Sequence, residues 1–294
     1  MAITAAMVKE LRTTTGAGMM DCKKALSETD GDMEAAIEFL RKKGMAGADK
    51  KAGRVAAEGI IAIAISDDKK SGVIAEVNCE TDFVAKGDEF KAFANEIAAL
   101  ALAANSTDVE TVMGLTMASG ETVDTVRREM IARIGENMAV RFINKIESDG
   151  IIGQYQHGEK IGVAVALTAG DDALARDIAM HIAAVNPAAI SADDVDQAML
   201  EKERKFQIEQ AKESGKPMEI IEKMIEGRMR KYLSDITLVG QAFVKNPDVT
   251  VEKLLKENGA SVTSFIRLEV GAGIEIEETN FADEVALAAK AVTG

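Results

Sequence analysis

Few side chains in this sequence have both the type and the spacing to do chemistry. "TGAGMMDCKKAL" at 15–26 pairs glycines with lysines and could cradle a phosphate. His157 and His181 could move protons, and Cys22 and Cys79 could attack a carbonyl or hold a metal. None of these meets its own requirement. A phosphate loop needs Gly, four residues, then Gly-Lys-Ser/Thr, and neither that spacing nor the hydroxyl is present. A dinucleotide fingerprint needs a preceding strand and a third glycine, both missing. Gly16 and Gly18 instead suit a tight turn between two helices. The two His and two Cys are scattered, without zinc-ligand spacing. No Ser-His-Asp or Cys-His set assembles, and no carboxylate pair is set apart by its context. The residues therefore predict no cofactor, no metal and no catalytic set: a non-enzyme.

One stretch stands apart. "NCETDFVAK", Asn78 to Lys86, sits where a strand-like apolar run (Gly72 to Val77) gives way to a helical pattern. An acid, Asp82, stands beside an aromatic, Phe83. Two readings are open: Asp82 caps a helix and Phe83 fills a core, or the pair reaches out to a partner.

Composition narrows the classes. Lys and Arg number 35 against 49 Asp and Glu, a net charge of -14. That disfavours a nucleic-acid scaffold, which needs clustered cations against phosphate. No apolar run approaches the length of a membrane span, and "MAITAAMVKELR" lacks the layout of a secretory signal. Two cysteines in 294 residues fit a reducing cytoplasm rather than a disulfide framework.

The elements that must carry these residues can be read from periodicity. Residues 1–43 predict a three-helix module resembling the ubiquitin-associated type. Thr4 and Asp32 serve as caps, with an apolar face of Ala36, Ile37 and Leu40 on the third helix. One of Met19 and Met20 is expected in its small core, the other outside as an adaptable contact. The basic, glycine-containing 44–57 reads as a linker. An internal duplication follows. "EGIIAIAISDDKKSGVIAEVNCE" and "DGIIGQYQHGEKIGVAVALTAG" both read strand, turn, strand. An amphipathic helix follows each: Phe90, Phe93, Ile97 and Leu100 or Ala101 in the first, Leu174, Ile178, Ile182 and Val185 in the second. A strand closes each half, at 137–146 and 261–270. The fold class is α+β: two related subdomains, 58–148 and 149–190 with 234–276, each a three-stranded antiparallel sheet with helices on one face. Residues 191–233 insert an antiparallel helical hairpin. Its first helix is capped by Ser191 and bears Val195, Met199 and Phe206. Gly215 ends that helix and Pro217 starts the return, which carries a stripe of Met218, Ile221, Ile225 and Met229. That stripe can zip the hairpin together or face a partner. A C-terminal helix falls within 277–294.

"MVKELRTTTGAGMMDCKKAL", "VNCETDFVAK", "HIAA", "GRMRKY" and "FIRLEVGAGIE" resemble, end to end, the elongation factor Ts family of guanine-nucleotide exchange factors. One departure is Ala242, where family members commonly have proline. The resemblance implies elongation factor Tu as partner, itself carrying GDP and Mg²⁺. It implies that Thr81, Asp82, Phe83 and Val84 disturb the partner's Mg²⁺ site, and that Arg12, Met19, Met20 and His157 contact the partner. It leaves open a homodimer through the hairpin. The rival reading is an adaptor without exchange activity, docking by its head and hairpin.

Overall fold

The computed structural model describes residues 3–213 and 217–275. The predicted C-terminal helix at 277–294 and the hairpin's Gly215 lie outside the described residues. The chain runs α1 (Ala5–Thr15), α2 (Met19–Glu28), α3 (Met33–Lys51), β1 (Glu58–Ile65), β2 (Ser71–Cys79), α4 (Asp82–Lys86), α5 (Asp88–Ala104), α6 (Val109–Met113), α7 (Val123–Ile134), β3 (Met138–Glu147), β4 (Ile151–His157), β5 (Ile161–Leu167) and α8 (Asp172–Val185). A short 3₁₀ turn, Ala192–Asp194, precedes α9 (Gln197–Lys212) and α10 (Met218–Ile236). Then come β6 (Ala242–Phe243), β7 (Asn246–Thr250), α11 (Val251–Glu257) and β8 (Val262–Glu269).

The two halves match in topology. Both sheets are antiparallel and three-stranded, in the orders β1-β2-β3 and β4-β5-β8. Alternation along each strand decides what each face meets. Val73, Ala75, Val77 and Cys79 of β2 point at α5, where Phe90, Phe93, Ile97 and Ala101 are buried. Val163, Val165 and Leu167 of β5 point at Leu174, Ile178 and Ile182 of α8. Each large side chain so buried is worth about 1.5–3 kcal/mol. Val185, expected on that face, is the last residue of α8 and stands exposed. The opposite faces are not wet. Ala164 and Ala166 turn away from α8 and pack with Ile65, Ile146, Ile152 and Ile266. The two sheets thus lie back to back, which explains why β2 and β5 read as continuous apolar runs.

A buried charge joins the halves. Glu76, on β2 at a bulge, is 1% exposed. Its Oε1 accepts hydrogen bonds from Asn78 Nδ2 (2.9 Å), from the Gly271 N–H (2.8 Å) and from Arg141 Nη1 (3.2 Å). Arg141 Nη2 in turn donates to the Ala272 carbonyl at 2.7 Å. The turn after β8 is therefore clasped by the first sheet.

The head forms as predicted at its caps: Thr4 accepts from the Met7 N–H and Asp32 from the Ala35 N–H. Two expectations change. Its core is Leu11, Cys22, Ala25, Leu26 and Ala36, with Ala17 rather than either methionine packed against it. Met19 and Met20 are both exposed. The expected linker at 44–57 is helical as far as Lys51. Composition alone signalled a connector, but tertiary packing overrides it. Arg41 pairs with Glu121 (2.8 Å), Asp49 with Arg128 of α7 (2.9 Å), and Lys51 Nζ reaches the Ile131 carbonyl (3.3 Å). Gly44 lies so close to α7 that a Cβ there would sit 2.8 Å from Ala132 Cβ.

The hairpin zips itself through Ile208, Ala211, Ile221, Ile225 and Met229, leaving Met199, Phe206 and Met218 exposed. Ser191 does not cap its first long helix. Ser191 and Asp194 form a capping box on the 3₁₀ turn, Val195 leaves it extended and buried, and Asp196 caps α9 afresh.

Gly44→Val should force the α3–α7 contact apart at a cost of about 1–3 kcal/mol. Thermal unfolding should show it, with faster tryptic cleavage in 41–54. Adding Ala132→Gly should recover part of the loss. No loss from the single change would mean the contact does not hold the head.

Candidate functional site

α4 is a five-residue helix wedged between β2 and α5, and its side chains divide sharply. Ala85 is buried and Val84 packs on the first core. Phe83 points the other way and is 84% exposed. Asp82 is paired with Lys86 at 2.6 Å, one turn along the same helix. The hydrogen bond from that ammonium holds the Asp82 carboxyl below its usual range. Of the two open readings, the one in which Asp82 caps a helix over a buried Phe83 fails twice. Thr81 is the cap, its Oγ accepting from the Val84 N–H at 3.4 Å, and Phe83 has left the core.

Thr81 is itself held on every polar atom. Its N–H and its hydroxyl donate to the two oxygens of Glu136, at 3.0 and 2.7 Å. Its carbonyl accepts from the Cys79 thiol at 3.2 Å. Burial first, then the negative charges of Glu136 and Glu58, push that thiol up to about 12. Cys79 is therefore protonated and unreactive, a donor rather than a nucleophile.

The remaining predicted residues lie on two further surfaces. Arg12, Met19 and Met20 are exposed around the first turn of the head. Gly16 in that turn abuts the Arg133 side chain, which pairs with Glu89 at the start of α5. His157 ends β4, exposed, its ring stacked on Tyr155 with centroids 6.5 Å apart. The turn beyond it is sewn to the first subdomain. The Ile61 N–H donates to the Glu159 carbonyl (2.9 Å), Lys91 pairs with Glu159 (2.8 Å) and Lys160 with Glu58 (2.7 Å). Lys160 lies near enough to help hold Asp82 ionised. The fold so brings the turn beyond His157 near α4. Glu136 was missed by sequence reasoning. Only its place after Gly135, which closes α7 in the left-handed conformation (φ 92°), marks it as the start of a new segment.

His181 is buried and structural. Its Nδ1 accepts from the Val244 N–H (3.2 Å), so Nε2 carries the proton and donates to Gln241 Oε1 (2.9 Å). Gln241 Nε2 donates onward to the Asp235 carbonyl (2.8 Å), and Phe243 packs its ring against the imidazole. These contacts hold the loop around Ala242 without a proline. Among the described residues no group of His, Cys, Asp and Glu could hold a metal ion, and no helix is long and apolar enough to cross a membrane.

Burial lowers the His181 pKa from 6.5, the Gln241 bond opposing it in part. The unfolded chain then takes up a proton that the folded chain refuses. Stability from this residue is whole above pH 6.5 and falls as the pH drops below it, by at most about 1.4 kcal/mol per pH unit. Melting temperatures of the parent chain should decline from pH 7.5 to 5.5 more steeply than those of His181→Gln. Parallel declines would remove His181 as the cause.

Comparison with known proteins gives the family. A family model described as Elongation factor TS matches residues 80–272. Elongation factor Ts of Hydrogenovibrio crunogenus is 76% identical over 294 residues, covering 100% of both chains. Elongation factor Ts of Methylococcus capsulatus is 58% identical over 286 residues, 97% of this chain and 98% of the relative.

Proposed function

The chain belongs to the elongation factor Ts family, and we propose that Phe83, raised on α4, is the element that opens the nucleotide site of its partner. The family's function is nucleotide exchange on elongation factor Tu during translation elongation, in the cytoplasm; it is an exchange factor, not an enzyme. The observation that carries the proposal is the exposure of Phe83 on a helix whose Ala85 is buried and whose Val84 packs against the core.

The physics runs through the partner's Mg²⁺. That ion bridges phosphate oxygens and demands near-octahedral geometry, so a small displacement of its surroundings weakens it steeply. Phenylalanine is a stiff wedge for this purpose. Asp82 sits on the first turn of α4 beside it, ionised and tied to Lys86, suited to acting on the same neighbourhood. Thr81 and Val84 anchor the helix from behind.

Phe83 cannot act alone. An acceleration of about four decades needs the barrier lowered by ~5.5 kcal/mol. Burying one phenylalanine yields about 1.5–3 kcal/mol. The balance must come from other contacts, for which exposed Arg12, Met19 and Met20 on the head and His157 at the β4–β5 end are suited. Linkage then requires the chain to bind nucleotide-free partner more tightly than GDP-bound partner, by the factor it weakens GDP. For a pairing of two copies through the hairpin, the support is the exposure of Met199, Phe206, Met218 and Ile220. Sedimentation tests it: Phe206→Glu should lower the mass of a dimer, and a parent chain sedimenting as a monomer would end the idea.

Phe83→Ala should slow release of fluorescent GDP from elongation factor Tu by at least about tenfold. It should shift stability by no more than about 0.5 kcal/mol, as an exposed site does. A core phenylalanine would instead cost about 3–5 kcal/mol. Normal exchange by the variant would refute the wedge.

A further inference from the structure

A wedge is only as stiff as its mount, and α4 has no stiffness of its own. Five residues make too few backbone hydrogen bonds to outlast solvent. What fixes it is a cross-link between two loops remote in sequence, 80–81 and 136–137. Glu136 takes the N–H and the hydroxyl of Thr81, one on each carboxylate oxygen. In return Glu80 Oε1 takes the Asn137 N–H at 2.6 Å. The two acidic side chains point in opposite directions across the same gap, so neither loop can slide without breaking both ties.

The cross-link also reaches the head. Asn137, 5% exposed, donates its Nδ2 to the carbonyls of Ala52 (3.4 Å) and Arg54 (2.8 Å). Ala52 is the residue that ends α3. A continuous path therefore runs from α3, the last helix of the head, through Asn137 and Glu136 to Thr81 and the N-terminus of α4. Its links are hydrogen bonds, save the peptide bond that joins Glu136 to Asn137.

We infer that Glu136 is a positioning residue for nucleotide exchange, holding α4 at fixed height so that binding energy gathered by the head arrives at Phe83 instead of being lost in retraction of the helix. This rests on the reading of Phe83 as the wedge. Glu136 need not touch the partner. Its removal should leave the partner's grip on the other surfaces intact while blunting the push.

The test is a double-mutant cycle on GDP release from elongation factor Tu, read as maximal rate and half-saturating concentration. Glu136→Ala should lower the maximal rate by about tenfold, ~1.4 kcal/mol, with the half-saturating concentration nearly unchanged. Glu136→Gln keeps the shape and one acceptor oxygen, so it should fold like the parent and fall between the two. In a Phe83→Ala chain, Glu136→Ala should cost nothing further, because there is no wedge left to hold. If Phe83→Ala is slow but Glu136→Ala lowers the rate by the same factor in both backgrounds, the positioning role is overturned and the wedge stands. If Phe83→Ala exchanges normally, both fall. If Glu136→Gln and Glu136→Ala change only thermal stability, or only the half-saturating concentration, Glu136 is a structural or contact residue.

Discussion

A large aromatic side chain turned wholly to water gives nothing to the fold that carries it, so it must be held by everything except itself. That constraint organises this molecule. Phe83 stands out because Val84 and Ala85 are pulled in, and these are pulled in because β2 and α5 have built a core beneath them. The fold ties Thr81 through its backbone and its hydroxyl alike rather than lengthening the helix. A longer helix would have acquired a buried face by period, and Phe83 with it.

The rest of the architecture supplies leverage around that point. Stacking the sheets through alanines and isoleucines keeps them close and lets the β4–β5 turn meet β1 and α5. Docking α3 along α7 turns what would be a tethered head into a fixed one. The surfaces proposed for contact are thus mounted on a shared frame, although they lie as far apart in the chain as Arg12 and His157.

Much of this was legible in the sequence, and the failures have physical causes. The two hairpins announced themselves because period-2 patterning and turn residues agree. The duplication followed from reading them side by side. The direction of Phe83 was implied only by the family resemblance: in a five-residue helix, periodicity has too few turns to define a face. The head's continuation through Lys51 was hidden by glycines that usually mark connectors. Gly44 is there for the nearness of Ala132, a fact about α7 that local pattern does not contain. Ser191 looked like the start of a long helix because a capping box is the same signal whether one turn follows or five. Glu136 was invisible for the plainest reason: its partner is 55 residues away.

The carboxylate of Glu76 has a consequence for how this protein comes apart. It lies in the first half of the duplication, yet one of its donors, the Gly271 N–H, belongs to the second. Were the second half to melt alone, Glu76 would lose the Gly271 N–H and Arg141 the Ala272 carbonyl. Those shared bonds are lost when either half opens, which couples the two halves energetically.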